Sequence, residues 1–283
     1  MIVFLNGKFV PEERALVSVF DRSFLYGDGL FETMLVANGV PFRWGQHLER
    51  LTAGAAFLGI ALPFGASELQ AVARELIVQN QMQDCLLRLT LSRGVGIRGY
   101  SPRGADAPTL AVTLHPLTDP NPHALKNWQL KTSSFKLPAN EPLAQFKNCN
   151  KLTQVMARAE ADRAGADEAL LANTDGFMVE GATSNLFWIQ QEVVCTPPLS
   201  SGILSGVTRL VVLELCRKLG FEVQESNITK DELFRTDGVF LSLSSFGVVQ
   251  GVTLDGQPLE LSALTHRLHA AYIATVRREA AIP

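Results

Sequence analysis

Lys147 stands alone between Phe146 and Asn148, with few other charges in the neighbouring sequence. An amine in such a place can lose its proton and act as nucleophile or base. Further along, Glu180 closes an apolar run, where a carboxylate could hold a protonated ring nitrogen. Gly206-Val207-Thr208 then opens a helical stretch. Free backbone N–H groups at a helix start, the positive end of the helix dipole and the Thr208 hydroxyl together make a ready anion site. Each piece also has an ordinary meaning: a solvated lysine ahead of a helix, a strand-end glutamate, a glycine-initiated helix with Ser205 as its cap. Their order along the chain, more than any one of them, points to chemistry.

The run Gly94-Val95-Gly96-Ile97-Arg98-Gly99 spells G-x-G-x-x-G and follows a strand-like segment. The dinucleotide fingerprint works only where a helix begins at the glycines, and Tyr100 to Pro108 is a poor helix that leads into another strand, so that reading is rejected. Arg98 in this loop could grip a carboxylate with its planar fork; otherwise it is an idle loop arginine.

The elements that must position these residues are legible in outline. A hairpin is expected over Ile2 to Leu5 and Lys8 to Val10 around Asn6-Gly7, then a strand near Leu16 to Val19. Helical spacing marks 46–58 and 67–79, and β-rich apolar runs mark 85–91 and 109–114 on either side of the long 92–108 loop. Pro116, Pro120 and Pro122 suppress helix, which places a linker at 119–124 between a smaller α/β domain, 1–118, and a larger one, 125–283. In the latter, 128–133 reads as a strand, 150–164 as a helix, and 168–171 with 177–179 as a hairpin. Strands follow at 185–189, 193–196, 239–244 and 248–253, and helices at 206–219 and 264–280. Thr229 to Glu232 has the spacing of a capping box.

The chain of 283 residues carries a formal charge of -3, with Lys and Arg scattered, so no basic field invites nucleic acid. No apolar run has the length to cross a bilayer, and the start lacks the basic opening of a signal peptide, so a cytoplasmic protein is expected. Cys85, Cys149, Cys195 and Cys216 have no paired spacing, and His47, His266 and His269 lack partners at ligand spacing, so neither a disulfide framework nor a metal site is expected.

The ordered set Lys147 with Asn150, Glu180, Asn185-Leu186-Phe187, Val194-Cys195-Thr196 and Leu204 to Arg209 resembles the cofactor site of the class IV, or fold type IV, pyridoxal-phosphate enzymes. These include branched-chain and D-amino-acid aminotransferases and aminodeoxychorismate lyase. The resemblance implies an α/β fold of the α+β type in two domains, with pyridoxal 5'-phosphate between them and a homodimer completing the cleft. It assigns Lys147 as the residue that carries the cofactor and Glu180 as partner of the ring nitrogen. Leu204 would lie against the ring, with Gly206, Val207, Thr208, Arg50 (from His47-Leu48-Glu49-Arg50-Leu51) and Ser244 on the phosphate.

Two further segments bear on the substrate, a small molecule. Ser92-Arg93-Gly94 through Arg98-Gly99-Tyr100 is similar to the substrate loop of the lyases, which implicates Arg98 and Tyr100. Asp21 to Thr33 resembles the family's N-terminal active-site strand, where Phe31 and Thr33 share one face. Threonine at 33 is typical of the lyases, whereas Glu32 is shared with the aminotransferases. The expected activity is therefore conversion of 4-amino-4-deoxychorismate to 4-aminobenzoate and pyruvate. Transamination of D-amino or branched-chain acids is the alternative, and a cofactor-free protein on the same scaffold is the rival from another class.

Overall fold

The computed structural model describes residues 1–117, 121 and 123–281. The expected linker, 119–124, falls largely outside them. Two compact units are present: Met1–Pro120 with Phe146–Asn150 and Val276–Pro283, and Asn121–Gln145 with Lys151–Thr275. A single cut of the chain near residue 120 thus leaves two stretches, one of them bearing Lys147, with the later part of the sequence although they pack with the earlier part.

The first unit opens with β1 (Ile2–Leu5) and β2 (Lys8–Pro11), paired around Asn6 and Gly7, both at positive φ, as a tight hairpin of this twist requires. The expected strand at 16–19 is not formed. Leu16, Val17 and Val19 are exposed there, without a sheet neighbour to pair them. A short helix α1 (Arg22–Tyr26) leads instead to β3 (Gly29–Ala37) and β4 (Val40–Pro41). Helices α2 (Trp44–Leu58) and α3 (Ala66–Asn80) follow, and β5 (Cys85–Ser92) and β6 (Thr109–Pro116) complete a six-stranded sheet in the order β2-β1-β6-β5-β3-β4.

Alternation decides which face does what. Leu30, Met34 and Val36 of β3 and Leu87, Leu89 and Leu91 of β5 pack with Leu48, Leu51, Leu69 and Leu76 of the two helices. Each such buried side chain stabilises the fold by about 1.5–3 kcal/mol. The opposite face carries Phe31, Thr33, Arg88 and Thr90, only partly buried. The stretch bearing Lys147 is a short edge addition to β3: the Phe31 N–H donates to the Lys147 carbonyl (2.8 Å) and the Cys149 N–H to the Gly29 carbonyl (2.9 Å), with Asn148 bridged to Leu30. Phe146 anchors it against Phe57, ring centroids 4.9 Å apart.

The second unit is built on a nine-stranded sheet whose main path runs β12-β11-β10-β13-β14-β7-β8-β9, with β15 on β14. Its strands are β7 (Lys126–Leu137), β8 (Glu168–Asn173), β9 (Met178–Gly181), β10 (Asn185–Gln190), β11 (Val193–Thr196), β12 (Val223–Glu225), β13 (Gly238–Leu243), β14 (Gly247–Leu254) and β15 (Gln257–Pro258). Helix α4 (Leu152–Arg163) presents Ala157 and Ala161 to Ala169, Leu171 and Val179 of the sheet. Helix α5 (Val207–Leu219) buries Val211, Val212 and Cys216 and ends at Gly220, which adopts the left-handed conformation of a C-terminal cap. Helix α6 (Lys230–Leu233) starts with the Thr229–Glu232 capping box, and α7 (Ala263–Glu279) closes the chain. Among the described residues no helix is long and apolar enough to cross a membrane.

Candidate active site

In the first unit the edge segment places Lys147 on the partly buried face of β3. Its Nζ lies 4.8 Å from the centre of the Phe31 ring, and the Arg88 guanidinium lies 4.0 Å from the same ring. Cations this close to an aromatic ring are attracted by its quadrupole. Thr33, two residues on from Phe31, is directly opposite Arg88 across the β3–β5 ladder. Phe31, Thr33, Arg88 and Lys147 therefore share one surface. Burial pulls the Arg88 guanidinium below its ordinary pKa, with the nearby Cys149 opposing. The sequence reading passed over Arg88, although the alternation Leu86, Arg88, Thr90 between buried leucines already marks it as facing away from the core.

The buried face of β3 carries a second polar group. Glu32 accepts from Arg50 through both carboxylate oxygens, Nε to Oε1 at 2.8 Å and the terminal nitrogen to Oε2 at 2.6 Å, and Oε2 also meets His47 Nδ1 at 2.7 Å. Burial pushes the Glu32 carboxyl up, but the His47 and Arg50 hydrogen bonds and the Arg50 charge outweigh it and bring its pKa down to about 2. Burial also lowers the pKa of His47, against the pull of Glu32. Arg50 is thus no solvated helix charge: its guanidinium is oriented by a carboxylate fork. His47, read from sequence as structural, is part of what holds it.

The G-x-G-x-x-G loop is explained without a nucleotide. Gly94 has φ +87°, and a Cβ there would lie 1.9 Å from the Ala107 carbonyl oxygen. Gly96 admits the aliphatic stem of Arg22, whose Cδ would be 3.0 Å from an added Cβ, and Gly99 has φ +108°. The glycines are there for close approach and left-handed turns. Arg98 is exposed in this chain, and Tyr100 is 87% exposed, meeting Tyr26 edge-on at 5.5 Å. Arg93, one step before the glycines, is buried and turned to the main chain at the end of α2.

In the second unit Glu180, next to last in β9, is opposite Asn185, the first residue of β10. Together they fix Leu204 by its main chain: the Leu204 N–H donates to Glu180 Oε2 (3.0 Å), and Asn185 Nδ2 donates to the Leu204 carbonyl (2.9 Å). The loop between Glu180 and Asn185 is held from beneath by the buried Glu168, which accepts from the Thr183 N–H (3.1 Å) and the Ser184 hydroxyl (3.1 Å). After Leu204 the chain enters α5 with Gly206, not Ser205, as its N-cap, a residue without a side chain to cap the helix. Gly206 is required by space, since a Cβ would lie 1.9 Å from Asn185 Oδ1. Val207 and Thr208 follow in the first turn, both buried, while Ser244 is half-buried in the turn after β13.

Phe31, Thr33 and Lys147 lie on one face of β3 and Arg50 is bound to Glu32 on the other, whereas Arg98 and Tyr100 are exposed on the loop. In the second unit Glu180, Leu204, Gly206, Val207 and Thr208 lie about the ends of β9 and β10, and among the described residues no hydrogen bond or ion pair joins Ser244 to them. A lysine on an aromatic face, a buried carboxylate, and a glycine-initiated helix start able to receive an anion are the groups a phosphorylated aldehyde cofactor needs.

Comparison with known proteins shows the family. Residues 29–253 match the family model described as amino-transferase class IV. The chain is 32% identical to the D-alanine aminotransferase of Bacillus licheniformis over 99% of each chain. It is also 32% identical to the aminodeoxychorismate lyase of Vibrio harveyi, over 89% of this chain and 94% of the other. The crystal structure of the branched-chain aminotransferase of Thermoproteus uzoniensis with norvaline superposes with a TM-score of 0.90 at 29% identity, covering 99% of this chain and 95% of that one.

Proposed function

The chain belongs to the amino-transferase class IV family, with the fold type IV architecture, and from that premise we propose that it is a pyridoxal 5'-phosphate enzyme converting 4-amino-4-deoxychorismate to 4-aminobenzoate and pyruvate, a step of folate biosynthesis. The observation that carries this reading is the shared face of β3. Thr33 is a hydroxyl on the surface that also holds Lys147 against Phe31, and it can serve a leaving oxygen.

The groups present fit the cofactor. The glycine start of α5 offers N–H groups to a phosphate, with the Thr208 hydroxyl beside them; by the family resemblance Arg50 and Ser244 would be further phosphate partners and Leu204 would face the ring. When bound, the cofactor supplies an aldehyde carbon that condenses with amines and a pyridinium ring that takes up an electron pair released at the neighbouring carbon. Glu180, buried and fixed to Leu204, would keep the proton on the ring nitrogen. Lys147 would hold the cofactor at rest through Nζ. Once free, that Nζ would be the base for the substrate's adjacent ring proton. Thr33 delivers a proton to the ether oxygen as pyruvate departs. Arg98 and Tyr100 hold the substrate carboxylate.

The protein works as a cytoplasmic homodimer in this reading. The exposed apolar side chains Phe24 and Leu25 supply surface that a second copy would cover.

A second reading, transamination of D-amino or branched-chain acids with a 2-oxo acid acceptor, is favoured by Arg88. A half-buried guanidinium beside Thr33 suits a second substrate carboxylate. The test offers purified enzyme 4-amino-4-deoxychorismate and, separately, amino acids with 2-oxoglutarate. Pyruvate release without amino-group transfer supports the lyase, and fast formation of pyridoxamine phosphate defeats it. A visible spectrum of the fresh protein without cofactor absorption would defeat both.

A further inference from the structure

Arg22 is buried to 3% exposure at the start of a five-residue helix, and none of the chemistry above uses it. Its guanidinium is almost fully committed. Nε donates to Asp28 Oδ2 (2.7 Å), one terminal nitrogen to the carbonyls of Gly99 (2.9 Å) and Ser101 (3.1 Å), and the other to the carbonyl of Tyr100 (3.0 Å). Three consecutive carbonyls of one loop therefore converge on a single cation, and four of the five donors of the fork are spent. The Tyr26 ring lies 5.0 Å from the same guanidinium, and the Tyr26 hydroxyl accepts from the Gly99 N–H at 3.2 Å.

Asp28 extends the connection. The same Oδ2 accepts from Arg93 Nε at 2.8 Å, and the terminal nitrogens of Arg93 donate to the carbonyls of Gly59 (3.0 Å) and Leu58 (2.7 Å) at the end of α2. A cation at a helix C-terminus is favoured by the dipole and satisfies carbonyls that the helix leaves open. Burial raises the Asp28 carboxyl, but the two arginines outweigh that and hold its pKa below the ordinary aspartate value. One carboxylate thus ties the helix that carries Arg50 to the loop that carries Arg98 and Tyr100.

The geometry points to Arg22 and Asp28 as positioning residues: they hold the 94–104 loop in the one conformation from which Arg98 and Tyr100 can meet a carboxylate-bearing substrate. The positioning stands on the contacts just given, and its consequence for the substrate rests on the loop reading above. Neither residue touches the reacting atoms. Lysine at position 22 would keep the charge yet could not reach three carbonyls and a carboxylate together, because its ammonium is a point donor in place of a fork.

The loop contains two bonds that trypsin can cut, after Arg98 and after Arg103, so its order can be read directly on the cofactor-loaded protein. Arg22→Lys and Asp28→Asn are expected to speed cleavage at these two bonds by about tenfold, the scale set by losing one charge-assisted hydrogen bond, with cutting elsewhere unchanged. Asp28→Asn keeps the shape of the side chain and serves should the lysine variant not fold. Unchanged cleavage at both bonds overturns the proposal, as does an equal rise along the whole chain, which signals general destabilisation. The kinetic arm separates the proposal from the reading beneath it. A KM raised about tenfold with kcat unchanged is expected where the loop grips substrate. Faster loop cleavage with an unchanged KM leaves Arg22 and Asp28 as positioning residues and removes Arg98 and Tyr100 from the substrate.

Discussion

In the first unit the candidate groups are charged side chains that hold one another, Glu32 between His47 and Arg50 and Asp28 between Arg22 and Arg93. In the second they are main-chain groups, the Leu204 N–H and carbonyl and the start of α5, fixed by Glu180, Asn185 and the absence of a Cβ at Gly206. The two designs fail differently. A network of buried charges depends on every partner being present and ionised, because a charge left alone in a low dielectric is costly. A main-chain site depends on the path of the chain, so one methyl group in the wrong place disturbs it while pH does not.

The largest effect that sharpens this contrast is expected for Lys147→Ala. Turnover should fall by about 10⁴-fold or more, and borohydride should no longer fix the cofactor to the peptide containing position 147, as read by mass spectrometry. Cofactor still fixed in that variant would break the assignment.

Next in size is the pH dependence of the Glu32 cluster. The folded pKa, about 2, lies below the ordinary value of 4.5, so the unfolded chain takes up the proton first as pH falls. The contribution is complete above 4.5 and is lost progressively down to about 2, to the extent of about 3 kcal/mol. Urea unfolding across that window should show the slope, and Glu32→Gln should flatten it. An unflattened slope would place the effect on other carboxylates.

Gly206→Ala tests the other design. The added methyl should cost about 1–3 kcal/mol of stability by overpacking against Asn185. It should also weaken cofactor binding, and both losses should be the same at about pH 5 and about pH 8, because the Gly206–Asn185 contact involves no titratable side chain. A strong pH dependence of the loss would break the comparison.

The smallest change is expected on comparing Glu180→Ala with Glu180→Gln. The alanine variant leaves the Leu204 N–H unpaired, at about 1–3 kcal/mol, whereas glutamine keeps an acceptor and most of the stability. Turnover should fall in both, since neither supplies a negative charge to a ring nitrogen.

Much of this was readable in the chain because local rules sufficed. The Asn6-Gly7 hairpin, the helices α2 and α3, the Thr229 capping box and the glycine start of α5 follow from turn chemistry and period. The expected strand at 16–19 failed because a β-rich composition forms a strand only with a neighbour to pair, and no strand of the sheet lies alongside it. Ser205 was a plausible cap by type, yet the chain turns into the helix one residue later. Arg88 escaped notice because a single charge in an apolar run carries meaning only once the two faces of the strand are distinguished.

The sequence by itself determined which residue types were present in which order, the periods of the helices and strands, and the places where only glycine could stand. What the tertiary structure alone decided was company. It put the Lys147 segment on the edge of β3, far away in the chain, and gave Glu32 to Arg50 and His47, Arg22 to the carbonyls of Gly99, Tyr100 and Ser101, and Leu204 to Glu180 and Asn185. Period and propensity act over a few neighbouring residues. The desolvation and hydrogen bonding that orient these groups depend on which distant segments arrive beside them.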